Sequence, residues 1–235
     1  MRPVLVLRPE PGNTATCRAA RAIGLDAIAA PLSVYAPRAW SSPDADWHGL
    51  LIGSAAVFAH GGPELAALRG RPVHAVGQAT ARAAIAAGFA VASVGSGGLQ
   101  SVVASLPAGR YLRLTGAVHV PLDLPAGVMV TDVVVYAADP APLRPEITAL
   151  LRGKATLALL HSAEAARHFV QQCAAHDVPR QSIALACLAP RIAAAAGENW
   201  QVLEIAQSPD DEALLSLAQQ MCQTMLHQGN GQSEK

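Results

Sequence analysis

Two of the chain's three tyrosines, Tyr35 and Tyr136, sit in closely similar settings, PLSVYAP at 31–37 and TDVVVYAADP at 131–140. Each β-branched run ends in Val-Tyr-Ala with a proline soon after, the pattern of a strand that stops where proline removes a ladder donor. A phenol hydroxyl, with an unperturbed pKa near ~10, can donate a proton or a hydrogen bond to a departing oxygen. The same ring can also serve as a strand aromatic packed against a linker. If both strands leave one lobe and enter another, the chain crosses between lobes twice, and the tyrosines stand at a hinge beside a cleft.

The ends of the other strands supply the next candidates. In parallel α/β sheets, ligands sit beyond the carboxyl ends of strands, where helix N-termini present unpaired N–H groups. The turns in that position carry Arg8, Ser54, Gly77, Gln78, Thr80, Thr115, Gly116, Ser162 and Pro190. Ser54 and Ser162 can cap the helices that follow them, which needs no ligand; facing one another across a cleft, the two helix ends would bind carboxylates. Gly77 permits close approach of backbone to a ligand just ahead of Gln78 and Thr80. Arg8 is the one cation in its turn, and either meets an anionic substrate or pairs with Glu10.

Several chemistries are absent from the pattern. Gly95-Ser96-Gly97-Gly98 continues as Leu99-Gln100, completing neither a dinucleotide fingerprint nor a P-loop, so a nucleotide site is not signalled. Gly53-Ser54-Ala55-Ala56 lacks the second glycine of a nucleophile elbow. The eight histidines show no metal spacing and read as structural or solvated. The four cysteines, with no C-x-x-C pair, signal neither a disulfide framework nor zinc.

The elements that must position these residues are short apolar runs alternating with alanine-rich segments. Pro3 to Leu7, a turn, Thr14 to Ile23 and Asp26 to Pro31 form a βαβ unit whose strands read as buried on both faces. Strands follow at 49–52, 73–76, 90–94, 111–114 and 128–136, with helices opening at Ala55, after Gly77 and at 99–106; Arg38 to Trp47 is a polar loop or short helix. Beyond the second crossing come helix 143–151, strand 156–160, helix 163–173, strand 183–188, a helix from Pro190, strand 202–205, a cap cluster at 208–211 and helix 212–226. The tail 228–235 is polar and expected to lack structure. The second half echoes the first, LLIGSAAVFAHG against ALLHSAEAARHF. The expectation is an α/β protein of two similar lobes, each a parallel sheet flanked by helices, joined by a two-stranded linker. Lobe 1 is discontinuous, 1–34 with 138–235; lobe 2 is 38–134; the linker strands lie near 34–38 and 134–138.

Composition agrees with aliphatic cores, since 51% of residues are hydrophobic and only 4% aromatic. Seventeen basic residues balance seventeen acidic ones, which argues against a nucleic-acid or membrane-surface footprint. The N-terminus enters a strand at once, with too short an apolar run for a signal peptide, and no window approaches a membrane span. A cytoplasmic protein is expected, and a hinged two-lobed chain is compatible with a monomer.

Taken together, V-L-V-x-R-P-x-P-G at the start, the strand end at Ser54, AVGQATA at 75–81, VVVYAA at 133–138 and LLHS at 159–162 resemble the uroporphyrinogen-III synthases. The resemblance implies two α/β lobes and a cofactor-free lyase of heme biosynthesis. Its substrate would be hydroxymethylbilane, a linear tetrapyrrole that loses water and closes to uroporphyrinogen III with ring D inverted. It further implies that Tyr136 assists loss of the hydroxyl, that Thr80 is the cleft threonine, and that Ser54 and Ser162 are cleft serines. Leu7 and Gly53 stand where the family often has threonine, and Ala189 where serine or glycine is common. The alternatives are a non-catalytic two-lobed small-molecule binding protein and a degenerate synthase-like partner module.

Overall fold

The computed structural model describes residues 2–230, with side chains through Thr224. The chain begins with β1 (Pro3–Val6), α1 (Gly12–Ala22), β2 (Asp26–Ala29) and β3 (Ser33–Pro37). It continues through β4 (Gly49–Ile52), α2 (Ala56–His60), a 3₁₀ turn (Pro63–Leu68), β5 (Val73–Val76), α3 (Gly77–Ala86), β6 (Val91–Gly95), α4 (Leu99–Val103), β7 (Gly109–Gly116) and β8 (Val128–Pro140). The last part holds α5 (Pro145–Gly153), β9 (Thr156–Leu160), α6 (Ala163–Ala175), a short 3₁₀ turn (Arg180–Ser182), β10 (Ile183–Cys187), α7 (Pro190–Ala196), β11 (Val202–Ile205) and α8 (Asp211–Asn230).

Packing divides the chain into two compact units. One is built from the chain up to Val34 and from Pro140 onward; the other is Tyr35–Asp139. In the first, five strands run in the order β11-β10-β9-β1-β2, every neighbouring pair parallel. Successive residues of one strand point to opposite faces, and each face here has its own core. Leu5, Ala158, Leu160 and Leu185 pack under α5, α6 and α7, while Val4, Val6, Leu157 and Leu159 pack under α1 and α8. Strands buried on both faces explain the uninterrupted apolar runs.

The second unit has six strands in the order β3-β8-β7-β4-β5-β6. β8, β7, β4, β5 and β6 pair in parallel. Leu50, Ile52, Leu112 and Leu114 pack with α2, the Pro63–Leu68 turn and α3. The opposite face has less cover, α4 with Leu51, Tyr111 and Val128. Parallel neighbours are usually joined by a crossover helix, yet residues 117–127, between β7 and β8, form no helix. That missing helix leaves room on the α4 side of the sheet.

Some boundaries differ from expectation. The two crossing strands, β3 and β8, lie side by side in the six-stranded sheet, and β8 continues unbroken to Pro140. Residues 38–47 take the loop alternative, tied down by the Trp40 indole, which donates to the Gly61 carbonyl at 2.7 Å. α4 ends at Val103 instead of 106. α8 runs to Asn230, through the first residues of the expected tail, and 231–235 lie outside the described residues. No helix among the described residues is long and apolar enough to cross a membrane.

All four cysteines are free and buried. Burial pushes the thiols of Cys173 and Cys187 up to about 12 and raises those of Cys17 and Cys222. The thiolate is the reactive form. The native protein at pH 8 is therefore expected to react negligibly with an aromatic disulfide reagent, and the denatured chain to titrate four thiols; prompt labelling of the native protein would contradict this burial.

Candidate active site

Tyr136 reaches its position through a register shift. β7 and β8 pair Leu114 with Val133 and Thr115 with Val134, but Gly116 with Tyr136, so Val135 is an extra residue on β8. Strict alternation would send Val135 and Tyr136 to opposite faces; a bulge of this kind breaks it. Both side chains enter the same core, Val135 fully buried and Tyr136 9% exposed. The Tyr136 ring meets Tyr35 edge-on, with centroids 5.1 Å apart at 74°, and His60 at 6.2 Å. It also lies over Gly116, where an added methyl would come within 2.9 Å of two ring carbons and 3.1 Å of the hydroxyl.

A cavity of about 550 Å³ opens within this unit, beside the helix-free crossover. Gly53, Ser54, Arg113, Thr115, His119 and Tyr136 are among the residues that line it. The Ser54 hydroxyl accepts from the Ala56 N–H at 3.2 Å, which leaves its proton for a ligand. Among the described residues the Tyr136 hydroxyl makes no hydrogen bond, so it too is available at the cavity wall. Arg113 is 6% exposed. It donates to the Val120 carbonyl at 3.0 Å and lies 3.5 Å from Asp132, its neighbour in the β7–β8 register. The same Asp132 oxygen is 3.1 Å from Nε2 of His119, whose Nδ1 is 2.9 Å from the Gly116 carbonyl.

Not every expected residue of this unit joins the cavity. Gly77, Gln78 and Thr80 lie at the carboxyl end of β5, where α3 begins, outside the cavity wall. Gly77 has φ of 73°, in the left-handed region that glycine favours. Thr80 is buried and Gln78 exposed. Gly116 borders the site through Tyr136.

In the other unit, Arg8, Ser162 and Pro190 stand at the carboxyl ends of β1, β9 and β10. Ser162 caps α6 by accepting from the Ala165 N–H at 3.1 Å. Pro190 is the first residue of α7, after Ala189, which makes no side-chain cap. Arg8 does not pair with Glu10, because the Glu10 carboxylate instead accepts from the Thr14 N–H and hydroxyl. Arg8 turns to Asp211 at 3.4 Å and Thr16 at 3.3 Å. Its turn is fixed by the buried Asn13 amide, which donates to the carbonyls of Val6 and Arg8.

Asp211 also accepts from Thr16 at 2.7 Å and from Nε2 of His161, whose side chain is 8% exposed, at 2.8 Å. Burial alone would raise the Asp211 pKa, but these hydrogen bonds and the charges of His161 and Arg8 outweigh it and lower the pKa. Burial, with help from Arg8, lowers the pKa of His161 despite the pull of Asp211. A neutral ring that donates from Nε2 leaves Nδ1 as a lone pair, and that atom is sealed and without a hydrogen-bond partner.

The chain matches the family model described as uroporphyrinogen-III synthase HemD over residues 15–216. It belongs to the uroporphyrinogen-III synthase family. A crystal structure of the uroporphyrinogen-III synthetase from Helicobacter pylori 26695 superposes with a TM-score of 0.61 at 16% identity, covering 94% of this chain and 100% of that one. The synthase from the extremely thermophilic bacterium Thermus thermophilus aligns over 96% of this chain and 100% of that one, at 18% identity and a TM-score of 0.43. No curated protein sequence matches. The synthase family works in tetrapyrrole biosynthesis on a tetrapyrrole substrate, and membership favours an enzyme over a non-catalytic binding protein. Of the positions where this synthase-family chain departs from the resemblance, Leu7 is fully buried in the core, and Gly53 lines the cavity without a side chain.

Sequence reasoning passed over Arg113, His119, Thr16, His161 and Asp211 as site residues. A signal for Arg113 was present: an arginine inside the apolar strand YLRLTG needs a partner, and TDVVVY supplies an aspartate on the adjoining strand.

Two outcomes follow from this geometry. Because folded His161 binds a proton less readily than the unfolded chain does, stability is expected to fall as pH drops through 6.5 and below. His161→Gln should flatten that part of the profile of melting temperature against pH, and an unchanged slope would refute the assignment. Gly116→Ala should displace the Tyr136 ring, seen as lost ring-current shifts between Tyr35 and Tyr136 in NMR spectra.

Proposed function

We propose that this chain is a cofactor-free lyase that converts hydroxymethylbilane to uroporphyrinogen III, acting as a cytoplasmic monomer without nucleic-acid or membrane partners. The observation that carries the residue assignment is the Tyr136 hydroxyl, without a hydrogen bond among the described residues, at the wall of a cavity in a chain of this family. In the first step the C–O bond of the terminal hydroxymethyl group breaks. Its electron pair leaves with oxygen, which takes a proton and departs as water. The pyrrole nitrogen stabilises the resulting azafulvene cation, and Tyr136 assists by donating to the departing oxygen. The substituted α-carbon of ring D then attacks this cation to give a spiro intermediate. The older bond from that carbon to the bridge carbon breaks, leaving a second azafulvene cation that the free α-carbon of ring D captures with loss of a proton. Ring D so closes inverted, which requires that the chain be held in one conformation.

Holding it is the task of backbone N–H groups and hydroxyls at strand ends. Ser54, Thr115, Gly116, Gly77, Gln78 and Thr80 serve in one unit, and Arg8 and Ser162 in the other, where Pro190, which has no N–H to give, starts the helix that follows β10. The substrate carries eight carboxylates on acetate and propionate arms. Strand-end donors recognise such groups one at a time, which reconciles a polyanionic substrate with a chain of zero net charge.

Incubation with freshly generated hydroxymethylbilane, followed by separation of the uroporphyrin isomers, tests the proposal. The III isomer should predominate; a product no richer in it than the spontaneous reaction gives would end the enzyme reading. Tyr136→Phe should lower kcat by about ten- to a hundredfold, at or below the usual range for one proton donor because the leaving group is already activated. Tyr35→Phe, which keeps the edge-on packing, should have a smaller effect. Equal effects would reduce both rings to packing.

A further inference from the structure

Among the described residues Arg113 is a buried arginine whose bonding is incomplete. A guanidinium carries five N–H donors. With its side chain 7% exposed, Arg113 makes one hydrogen bond among the described residues, to the Val120 carbonyl at 3.0 Å. Its ion pair with Asp132, at 3.5 Å, is longer than a charged hydrogen bond, and that carboxylate is 38% exposed and shared with His119. A buried charge with donors left over is costly unless something further accepts from it. Arg113 and His119 line the cavity, whereas Asp132 stands behind them and is not part of the wall.

The rest of the wall defines what fits. Val57, Leu99, Leu114 and Leu122 are apolar, and Val118 and Val120, 76% and 74% exposed, offer bare aliphatic surface. Asp123, the acidic residue of the lining, is exposed at the rim and disfavours a second negative charge there. The crossover that carries these valines is held in place by Gln100, whose amide donates to the Asp123 carbonyl at 2.8 Å and accepts from the Asp123 N–H at 2.9 Å.

We infer that Arg113 is a specificity-determining residue that binds one carboxylate arm of a pyrrole ring lodged in this cavity. The guanidinium fork takes both carboxylate oxygens, and the aliphatic wall covers the ring. The identity of the ring rests on the synthase reading above; the carboxylate site itself rests on Arg113 and the cavity. It makes this arm one that is read by a buried charged side chain and not only by backbone N–H groups.

The test uses the whole protein and two probes, a monopyrrole bearing one acetate and one propionate arm and its dimethyl ester. NMR titration of the wild type should shift the Arg113 Nε–H resonance with the acid and leave it unmoved with the ester. In steady-state assays Arg113→Gln should raise KM for hydroxymethylbilane roughly ten- to a hundredfold, the usual worth of a charge-assisted bond, with kcat little changed. Arg113→Lys should recover part of that loss. A merely structural arginine would instead lower the melting temperature and leave KM alone, which would overturn the inference. So would an Arg113 signal that responds equally to acid and ester, a result obtainable on the wild type even if both variants fail to fold. Should the wild type form no III isomer, the synthase reading falls, while the acid-against-ester comparison still decides the carboxylate site.

Discussion

The candidate site depends on a slip of one residue between β7 and β8. Parallel pairing and strand alternation would otherwise place Val135 and Tyr136 on opposite faces, and only one of them could join the core that holds Tyr35 and His60. With the extra residue, Val135 anchors the strand and Tyr136 occupies the next position on the same side, over Gly116. The close approach at Gly116 then fixes where the ring can lie. A short edge strand, β3, completes the arrangement by carrying Tyr35 against it. The placement of the phenol thus follows from backbone register more than from any side-chain bond.

Each unit also restrains one arginine in the same way. Arg8 lies 3.4 Å from Asp211, which bonds His161; Arg113 lies 3.5 Å from Asp132, which contacts His119. In both trios the aspartate is about one-third exposed and is shared between the arginine and the histidine. Neither guanidinium is closed into a short bidentate pair, so each retains donors. They differ in depth, since the Arg8 side chain is 34% exposed and that of Arg113 only 7%. Removing a guanidinium from water strengthens its response to any anion that reaches it, because the effective dielectric falls.

Much of the architecture was legible in the sequence because a strand buried on both faces must be apolar throughout. PVLVL, GLLI, TLALL and IALAC declare themselves that way, and glycines and prolines punctuate them. What could not be read was pairing between distant segments. Asp211 looked like one of two helix-cap aspartates; Asp210 is the cap, accepting from the Ala213 N–H at 2.9 Å, and Asp211 turns inward to His161, fifty residues earlier in the chain. Nor does local sequence reveal that a crossover lacks its helix, so the cavity beside residues 117–127 was invisible. Tyr136 was legible as a candidate, but the bulge that aims it was not, because Val-Val-Val-Tyr reads the same in any register.

The second unit is an insertion in the first. The two host segments that flank it are joined to each other where the Ala141 N–H donates to the Leu32 carbonyl at 2.8 Å. β1 and β2 must wait for β9, which pairs with β1 from the far side of the insert. As the chain leaves the ribosome, every strand of the inserted sheet is therefore available before the host sheet has its central neighbour. The contiguous unit closes short loops while the host must close one spanning the whole insert, so assembly proceeds from the inside of the sequence outward.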